Sequence, residues 1–326
     1  RRCRDTGAIP MSRDEPADDK SADDDAPAGP LDGVTVIEAG SMISIGTVGR
    51  LLADFGADVI KVEHPETGDH LRHFGPQKEG VGLWWKYLGR NKRSVTLDIS
   101  TEEGKVVFED LVAEADALIE NFRPGTLERW GLGYDHLSDL NPGLVMLRLS
   151  GFGQTGPYSD RPGFGTLAEA MSGFAYLNGF PDSPPLLPPT GLADNIAALF
   201  STFAVMFALY HRDVHGGGGQ YIDTSLIEPI FGLLGPQPLR YDQLGEIESR
   251  SGNRSTSSAP RNVYRTGDDR WVAISASAQP LAERTFDAID RPDLKDDPRF
   301  ETNEDRLEHV DELDATSKNL LESAKA

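Results

Sequence analysis

The chain reads Val34-Thr-Val-Ile37, then Val48-Gly-Arg-Leu-Leu-Ala-Asp54, then Asp58-Val-Ile-Lys-Val-Glu63. The first and last runs are short and rich in β-branched residues, which is typical of buried strands, whereas the middle run has the apolar spacing of a helix. A turn containing Gly40 separates the first strand from the helix. A strand, a helix and a strand within about 30 residues form a βαβ unit, which predicts a parallel sheet.

The same alternation continues to residue 225. Further strands are predicted at Ser94–Leu97, Ala117–Glu120, Leu144–Ser150 and Tyr221–Ser225, and helices at Glu102–Ala113, Gly125–Trp130, Phe164–Phe180 and Ile196–Leu209. This pattern predicts an α/β fold with a doubly wound parallel sheet. The glycine fingerprint G-x-G-x-x-G is absent from the first strand–helix turn, so a nicotinamide or flavin cofactor is disfavoured.

Composition divides the chain into four predicted segments. Residues 1–30 are expected to be a disordered acidic tail, and residues 31–226 a large α/β domain. Residues 227–260 are interpreted as a linker, and residues 261–326 as the start of a smaller α/β domain that the strand Trp271–Ser275 opens.

The chain is strongly acidic. Asp and Glu number 53 against 32 Lys and Arg, which gives a formal net charge of −21. Such a balance disfavours a nucleic acid partner, because phosphate binding requires a basic face. Only nine of the basic residues are Lys, and a carboxylate-rich, lysine-poor surface stays hydrated in concentrated salt. A halophilic protein is therefore expected, with an acidic mesophilic protein as the alternative.

The cysteine, histidine and hydropathy patterns disfavour disulfide-linked, metal-binding and membrane-spanning proteins. The single cysteine, Cys3, permits no intrachain disulfide and no cysteine-based metal site, and the histidines show no metal-ligand spacing. No apolar run approaches the roughly 20 residues of a membrane span, and the N-terminus has no signal-peptide pattern. A cytoplasmic protein without a metal or a membrane partner is expected.

Asp194 is the candidate catalytic residue. It is a lone acid between Gly191-Leu-Ala and an apolar helix. One interpretation is a helix N-cap, since Asp accepts hydrogen bonds from free backbone amides and favours the positive end of the helix dipole. The other is a partly desolvated carboxylate nucleophile, which can attack a thioester or an anhydride. The two interpretations are compatible, because capping would keep the carboxylate ionised.

A candidate anion site follows the strand Ala117–Glu120. Asn121-Phe-Arg-Pro-Gly125 lies at its carboxyl end, where open α/β sheets bind ligands. Arg123 and Arg129 are close enough in sequence to bind phosphates together. A solvated arginine in an acidic protein is the alternative for each. A basic strip that suits a polyphosphate ligand is also predicted from four further residues: Lys61, Arg72, Lys92 and Arg93.

Several long motifs resemble one known family. They are Leu-Leu-Ala-Asp-Phe-Gly-Ala-Asp-Val-Ile-Lys-Val-Glu at 51–63, Asn-Lys-Arg-Ser-Val-Thr-Leu-Asp at 91–98, Ala-Asp-Ala-Leu-Ile-Glu-Asn-Phe-Arg-Pro-Gly at 115–125, Gly-Phe-Gly-Gln-Thr-Gly-Pro-Tyr at 151–158 and Gly-Gln-Tyr-Ile-Asp-Thr-Ser-Leu at 219–226. From Leu31 to about Phe300 the chain resembles the class III CoA transferases of the CaiB/BaiF type, which include formyl-CoA transferase and carnitine-CoA transferase.

The resemblance implies a function and a set of site residues. It implies transfer of CoA from an acyl-CoA donor to a carboxylic acid through covalent intermediates on Asp194. Coenzyme A is then a substrate, and no cofactor is bound permanently. Relatives form interlocked homodimers, so a homodimer is expected. The residues that the resemblance assigns to the CoA site are Asn121, Phe122, Arg123, Arg129, Leu97 and His64, the last standing where many relatives have Arg.

Two alternatives remain open. The family also contains α-methylacyl-CoA racemases, which pair the aspartate with a His in a Gly-His-Asp segment. Here the segment reads Gly163-Phe164-Gly165, so half of the proton relay is missing. Relatives continue well past the position of Ala326 and return to complete the large domain, so a truncated CoA-binding subunit without turnover is the other alternative. The donor and acceptor acids are not predicted.

Overall fold

The computed structural model describes residues 29–321. The predicted acidic tail therefore lies outside the described residues, apart from its last two positions. The strands are β1 Thr35–Ala39, β2 Asp58–Glu63, β3 Gln77–Lys78, β4 Val81–Gly82, β5 Lys92–Thr96, β6 Ala117–Glu120, β7 Val145–Ser150, β8 Tyr221–Ser225, β9 Arg261–Arg265 and β10 Trp271–Ser275. The helices are α1 Ile43–Asp54, α2 Leu83–Leu88, α3 Glu102–Ala113, α4 Thr126–Arg129, α5 Tyr134–Leu140, α6 Gly165–Met171, α7 Phe174–Leu177, α8 Leu192–His215, α9 Ile227–Gly232, α10 Gln237–Leu244, α11 Gln279–Ala288, α12 Asn303–Glu308 and α13 Val310–Leu321.

Six strands form one parallel sheet in the order β5-β2-β1-β6-β7-β8. Counted along the chain within this sheet, the order is 3-2-1-4-5-6, the order of a doubly wound fold. The order reverses between β1 and β6, and in such sheets a crevice opens at this point beyond the carboxyl ends of the strands. The α/β fold with a doubly wound parallel sheet is confirmed.

Alternating side chains of the strands feed two cores, one on each face of the sheet. On one face Val36, Val59 and Ile119 pack with α1 and α8. On the other face Ile37 and Leu118 pack with α3 and α5. Every one of these five strand side chains is 1% exposed or less, so the sheet is covered on both faces, as parallel sheets require.

Beyond shifted bounds and short elements that were not predicted, the structure differs from the sequence prediction at three longer segments. The helix predicted over Phe164–Phe180 breaks into α6 and α7, because Gly173 adopts φ of +94°, a conformation that interrupts a right-handed helix. Helix α8 extends the predicted Ile196–Leu209 in both directions. The interval 227–260, interpreted as a linker, contains α9 and α10, and Ile230 of α9 is fully buried in the core of the sheet.

Residues after 258 build a separate small core. The antiparallel pair β9 and β10 lies beside α13, while Phe286, Leu294, Phe300 and Leu313 are among the side chains of this core. The three clusters of buried apolar residues in residues 29–321 therefore comprise two on the large sheet and one here.

Helix α8 has one packed face and one open face. Ala197, Ser201 and Val205 are buried, and small residues of this kind let the helix contact α1 and the sheet. The opposite face exposes a row of large apolar side chains: Leu199, Phe200, Phe203, Phe207, Tyr210 and Val214. By length and composition this helix could cross a membrane, contrary to the sequence prediction, although core helices meet the same criterion.

Candidate active site at the carboxyl edge of the sheet

Two loops meet where the strand order reverses. Gly40 and Ser41 follow β1, and Asn121 follows β6. The Ser41 backbone N–H donates to Asn121 Oδ1 at 3.0 Å, and Asn121 Nδ2 donates to the Ser41 carbonyl at 2.7 Å. The predicted ligand-binding residue Asn121 thus has a structural task, because its amide links the two strands that border the crevice.

Three adjoining cavities run along this edge. The first, of about 230 Å³, is bordered by the ends of β1 and β2 and by His64, Leu97 and Phe122. The second, of about 260 Å³, shares Phe122 with the first and reaches Asp194. The third, of about 590 Å³, shares Phe164 and Asp194 with the second. Asp194 therefore stands at the junction of the second and third cavities.

Asp194 lies in the first turn of α8 but does not cap it. The N-cap is Gly191, which has no side chain to do so, and Asp194 is the third residue inside the helix. Its carboxylate packs against Gly165, where a Cβ atom would lie 2.2 Å from Asp194 Oδ2. The N-cap interpretation of Asp194 is wrong, because Gly191 holds the cap position and the Asp194 carboxylate lines the cavities beside the α6 backbone.

The environment disfavours the charged form of Asp194. Burial, followed by the nearby charge of Glu169, raises the pKa of Asp194 from 3.8 to about 6. Glu169 is 3% exposed and lines the third cavity, and its Oε1 accepts a hydrogen bond of 3.2 Å from the Ala193 backbone N–H. Capping was expected from the sequence to favour the ionised form of Asp194, whereas the structure raises its pKa and so disfavours that form.

Sequence reasoning missed three further features beside Asp194. Glu169 carries the signal that singled out Asp194, a lone acid in an apolar helix. Ser150, at the carboxyl end of β7, lines the second cavity, and its buried hydroxyl has no hydrogen-bond partner among the described residues. Met42, which lines the second and third cavities, has φ of 72° and ψ of −161°, a region that essentially only glycine occupies.

The strained backbone of Met42 is held by buried groups around it. The Met42 N–H donates to Asp69 Oδ1 at 3.4 Å, and Lys61 Nζ donates to the Gly40 carbonyl at 2.7 Å. Backbone strain of this type costs about 1–3 kcal/mol and persists where surrounding contacts fix it, most often at functional sites. No sequence pattern signals it, since methionine is not a residue that favours positive φ.

The predicted CoA-site residues fall into two groups. Phe122 lines the first and second cavities, while His64 and Leu97 line the first, with His64 Nε2 3.6 Å from Asp98 Oδ2. Arg123 and Arg129 are exposed and line none of the three cavities. They belong to the segment between Phe122 and Trp130, both of which border the first cavity.

The predicted basic strip is wrong, because its charges are paired internally. Lys61 Nζ lies 2.8 Å from both Glu38 Oε1 and Asp69 Oδ2, and Lys92 Nζ lies 2.6 Å from Glu38 Oε2. Burial alone would lower the pKa of Lys61, but the two carboxylates outweigh it and raise that pKa. The other two members of the strip, Arg72 and Arg93, pair with Glu63 and Asp58.

Comparison with known proteins gives the family. The model of CoA-transferase family III matches residues 31–326. Succinyl-CoA–D-citramalate CoA-transferase of Chloroflexus aurantiacus is 45% identical over 289 residues, which are 88% of this chain and 72% of that protein. Acetyl-CoA:oxalate CoA-transferase of Acetobacter aceti is 35% identical and covers 92% of this chain and 77% of its own length.

Comparison with solved structures supports the same family. The crystal structure of a CaiB/BaiF family protein from Brucella suis superposes with a TM-score of 0.79 at 36% identity, covering 91% of this chain and 79% of that one. The chain therefore belongs to CoA-transferase family III, as the motifs predicted. It is an enzyme of this class, and CoA thioesters are the substrates of the family.

Proposed function

We propose that the protein moves CoA from an acyl-CoA donor to a carboxylic acid through covalent intermediates on Asp194. The observation that carries the proposal is the position of this carboxylate, which is partly desolvated and open to the second and third cavities at once. A raised pKa marks a more basic carboxylate, and at neutral pH the group is still mostly ionised, so it is available as a nucleophile.

The proposed reaction has four balanced steps. Asp194 attacks the thioester carbonyl, the C–S bond breaks, and CoA leaves as a thiolate while a mixed anhydride forms. The thiolate attacks the aspartyl carbonyl, which releases the donor acid and leaves an aspartyl-CoA thioester. The acceptor carboxylate then displaces the thiolate to form a second anhydride. Attack of the thiolate on the acceptor acyl group yields the new acyl-CoA and restores Asp194.

CoA is proposed to follow the row of cavities. Its nucleotide lies in the first cavity beside His64 and Leu97, and its thioester reaches Asp194 through the second cavity past Phe122. Arg123 and Arg129 are placed by the proposal at the phosphates, which suits their exposure and their guanidinium groups. Helix α1 has no side-chain cap, so its first backbone N–H groups can also stabilise negative charge in the second cavity.

The acid is proposed to occupy the third cavity. Its walls include Ile43, Phe74, Trp84 and Leu187, so they suit a small carbon chain. The carboxylate of the acceptor is directed at Asp194 after that residue is acylated and has lost its charge. Several relatives are named for succinyl-CoA as a substrate, and we propose succinyl-CoA as the donor for this protein as well. Racemase chemistry is less favoured, because no histidine lines the second or third cavity among the described residues.

We also propose that the active form is a homodimer. The open face of α8 presents six large apolar side chains in a row, and Phe207 is 70% exposed. Exposed apolar surface of this extent is typical of protein interfaces. A second copy of the chain is the occupant that the relationship to interlocked CoA transferases suggests.

The test is intact-protein mass spectrometry after incubation with succinyl-CoA, with Asp194→Ala as the matched variant. A CoA-sized adduct on the parent that hydroxylamine removes, and none on the variant, supports the covalent mechanism. An adduct of equal yield on both proteins, or no adduct with succinyl-CoA and a short panel of other acyl-CoAs, refutes it and favours the racemase or the binding subunit.

A further inference from the structure

We infer that Glu169 is a positioning residue that activates Asp194 by holding a second negative charge against it until Asp194 is acylated. The inference rests on the proposed function of Asp194. It adds that the charge of Glu169 makes Asp194 more reactive. It assigns a role to a residue that contacts neither the thioester nor CoA in the proposed reaction.

The geometry joins the two acids rigidly. Glu169 lies on α6 and Asp194 on α8, two helices in contact, and both acids line the third cavity. Glu169 Oε1 accepts the Ala193 N–H at 3.2 Å, so Glu169 is anchored to the residue that directly precedes Asp194. Gly165, one turn before Glu169 on the same helix, packs against the Asp194 carboxylate.

Glu169 is exceptional among the buried acids of the described residues, because it has no basic partner. The other buried acids each have one: Glu38 and Asp69 pair with Lys61, Glu63 with Arg72, Glu120 with Arg148 and Asp314 with Arg254, all at 2.5–2.8 Å. Burying a charge without a partner is costly. Among the described residues, a buried acid without a basic partner occurs only beside Asp194, where its charge acts on the proposed nucleophile.

The charge of Glu169 favours the covalent step. While Asp194 is a carboxylate, the two anions repel each other, and this repulsion contributes to its raised pKa. The mixed anhydride and the aspartyl thioester both leave the Asp194 side chain uncharged. Forming either one therefore relieves the repulsion, and the more basic carboxylate is also the better nucleophile.

Among the described residues, Glu169 is the only charged group that shifts the pKa of Asp194 by its charge. In the third cavity Glu169 and Asp194 are the only ionisable side chains among the described residues. Helix α9, which also packs on α6, carries Glu228, whose Oε2 accepts a hydrogen bond from the Ser225 hydroxyl at 2.9 Å. Helix α7 has no charged residue.

The first experiment needs no substrate. The Asp194 carboxyl is titrated by carbon-13 NMR in the parent, in Glu169→Gln and in Glu169→Asp, with Asp194→Asn to assign the signal and exposed Glu114→Gln as the matched control. Gln keeps the acceptor for the Ala193 N–H and removes only the charge. We expect the Asp194 titration to move to lower pH in Glu169→Gln, and to stay near the parent in Glu169→Asp and Glu114→Gln.

The second experiment measures single-turnover formation of the CoA adduct from succinyl-CoA against pH. In Glu169→Gln the acidic limb should move to lower pH, while the plateau rate should fall about three- to tenfold because a less basic carboxylate is a weaker nucleophile. Glu169→Asp should restore both. An unchanged titration and plateau in Glu169→Gln overturns the inference while the proposed function stands. Absence of any adduct in the parent overturns both.

Discussion

Replacing Asp194 by Asn should make the protein more stable at neutral pH. The folded state holds this carboxyl at a pKa of about 6 against 3.8 for the free group. Ionising it in the folded protein therefore costs about two pKa units, or about 3 kcal/mol, at neutral pH. Asn has nearly the same shape and carries no charge, so the variant avoids this cost.

The pH dependence has a defined sign. Because the folded pKa lies above the unfolded one, the folded state retains the proton longer, and the stability of the parent falls as pH rises from about 4 to about 6. The gain in Asp194→Asn should follow the same window. It should be about 3 kcal/mol at pH 7.5, about half of that at pH 5 and about a fifth of it at pH 4.

Urea unfolding of both proteins at equal concentration, at pH 7.5 and pH 5, measures this difference. The gain should be larger at the higher pH. A variant that is equal to or less stable than the parent at pH 7.5 would refute the reasoning, since it would mean that the anion is well solvated or paired in the folded protein.

Three further outcomes are expected. Gly165→Ala should slow adduct formation about 100-fold, because its Cβ would displace the Asp194 carboxylate; Gly232→Ala, with open space around it, is the control, and equal rates would contradict the geometry. Phe207→Asp should convert a dimer to a monomer in light scattering, whereas Val106→Asp on exposed α3 should not; a dimer in both would exclude the α8 face. With a net charge of −21, the Tm should rise by several degrees from 0.1 to about 2 M KCl, and a flat or falling Tm would contradict the halophilic interpretation.

Local sequence patterns predicted the parts of the fold that depend on local forces. The bounds of Asp58–Glu63, Ala117–Glu120 and Glu102–Ala113 agree with the structure. Ala117–Glu120 is buried throughout and Asp58–Glu63 is mostly buried, and the helix begins where the Thr101 hydroxyl accepts the Gly104 N–H. The helix break at Gly173 was not predicted, because glycine can occupy either a helix or a left-handed turn, and only packing selects between them.

The candidate site was predictable in part. Asp194 and Glu169 share one local sequence signal, an acid among apolar residues. Asp194 was identified from this signal, whereas Glu169 was not. The pairing of Lys61 with Glu38 was not predictable, since it joins residues 23 positions apart through neighbouring strands. A basic residue in sequence therefore does not establish a basic surface. The backbone of Met42 depends on contacts with a loop 27 positions away and leaves no trace in composition.

The pattern of charge pairing bears on whether the site performs chemistry. A protein that only bound CoA would gain nothing from two neighbouring acids without a cation, because such a pair opposes folding and repels an anionic ligand. Elsewhere in the described residues this fold provides a Lys or Arg for each buried acid, as Arg148 does for Glu120 at 2.5 Å. Stability lost at one position is typical of a site whose reactive group must be high in energy before it reacts. The unpaired acids therefore favour an enzyme that acylates Asp194 over a subunit that has kept binding alone.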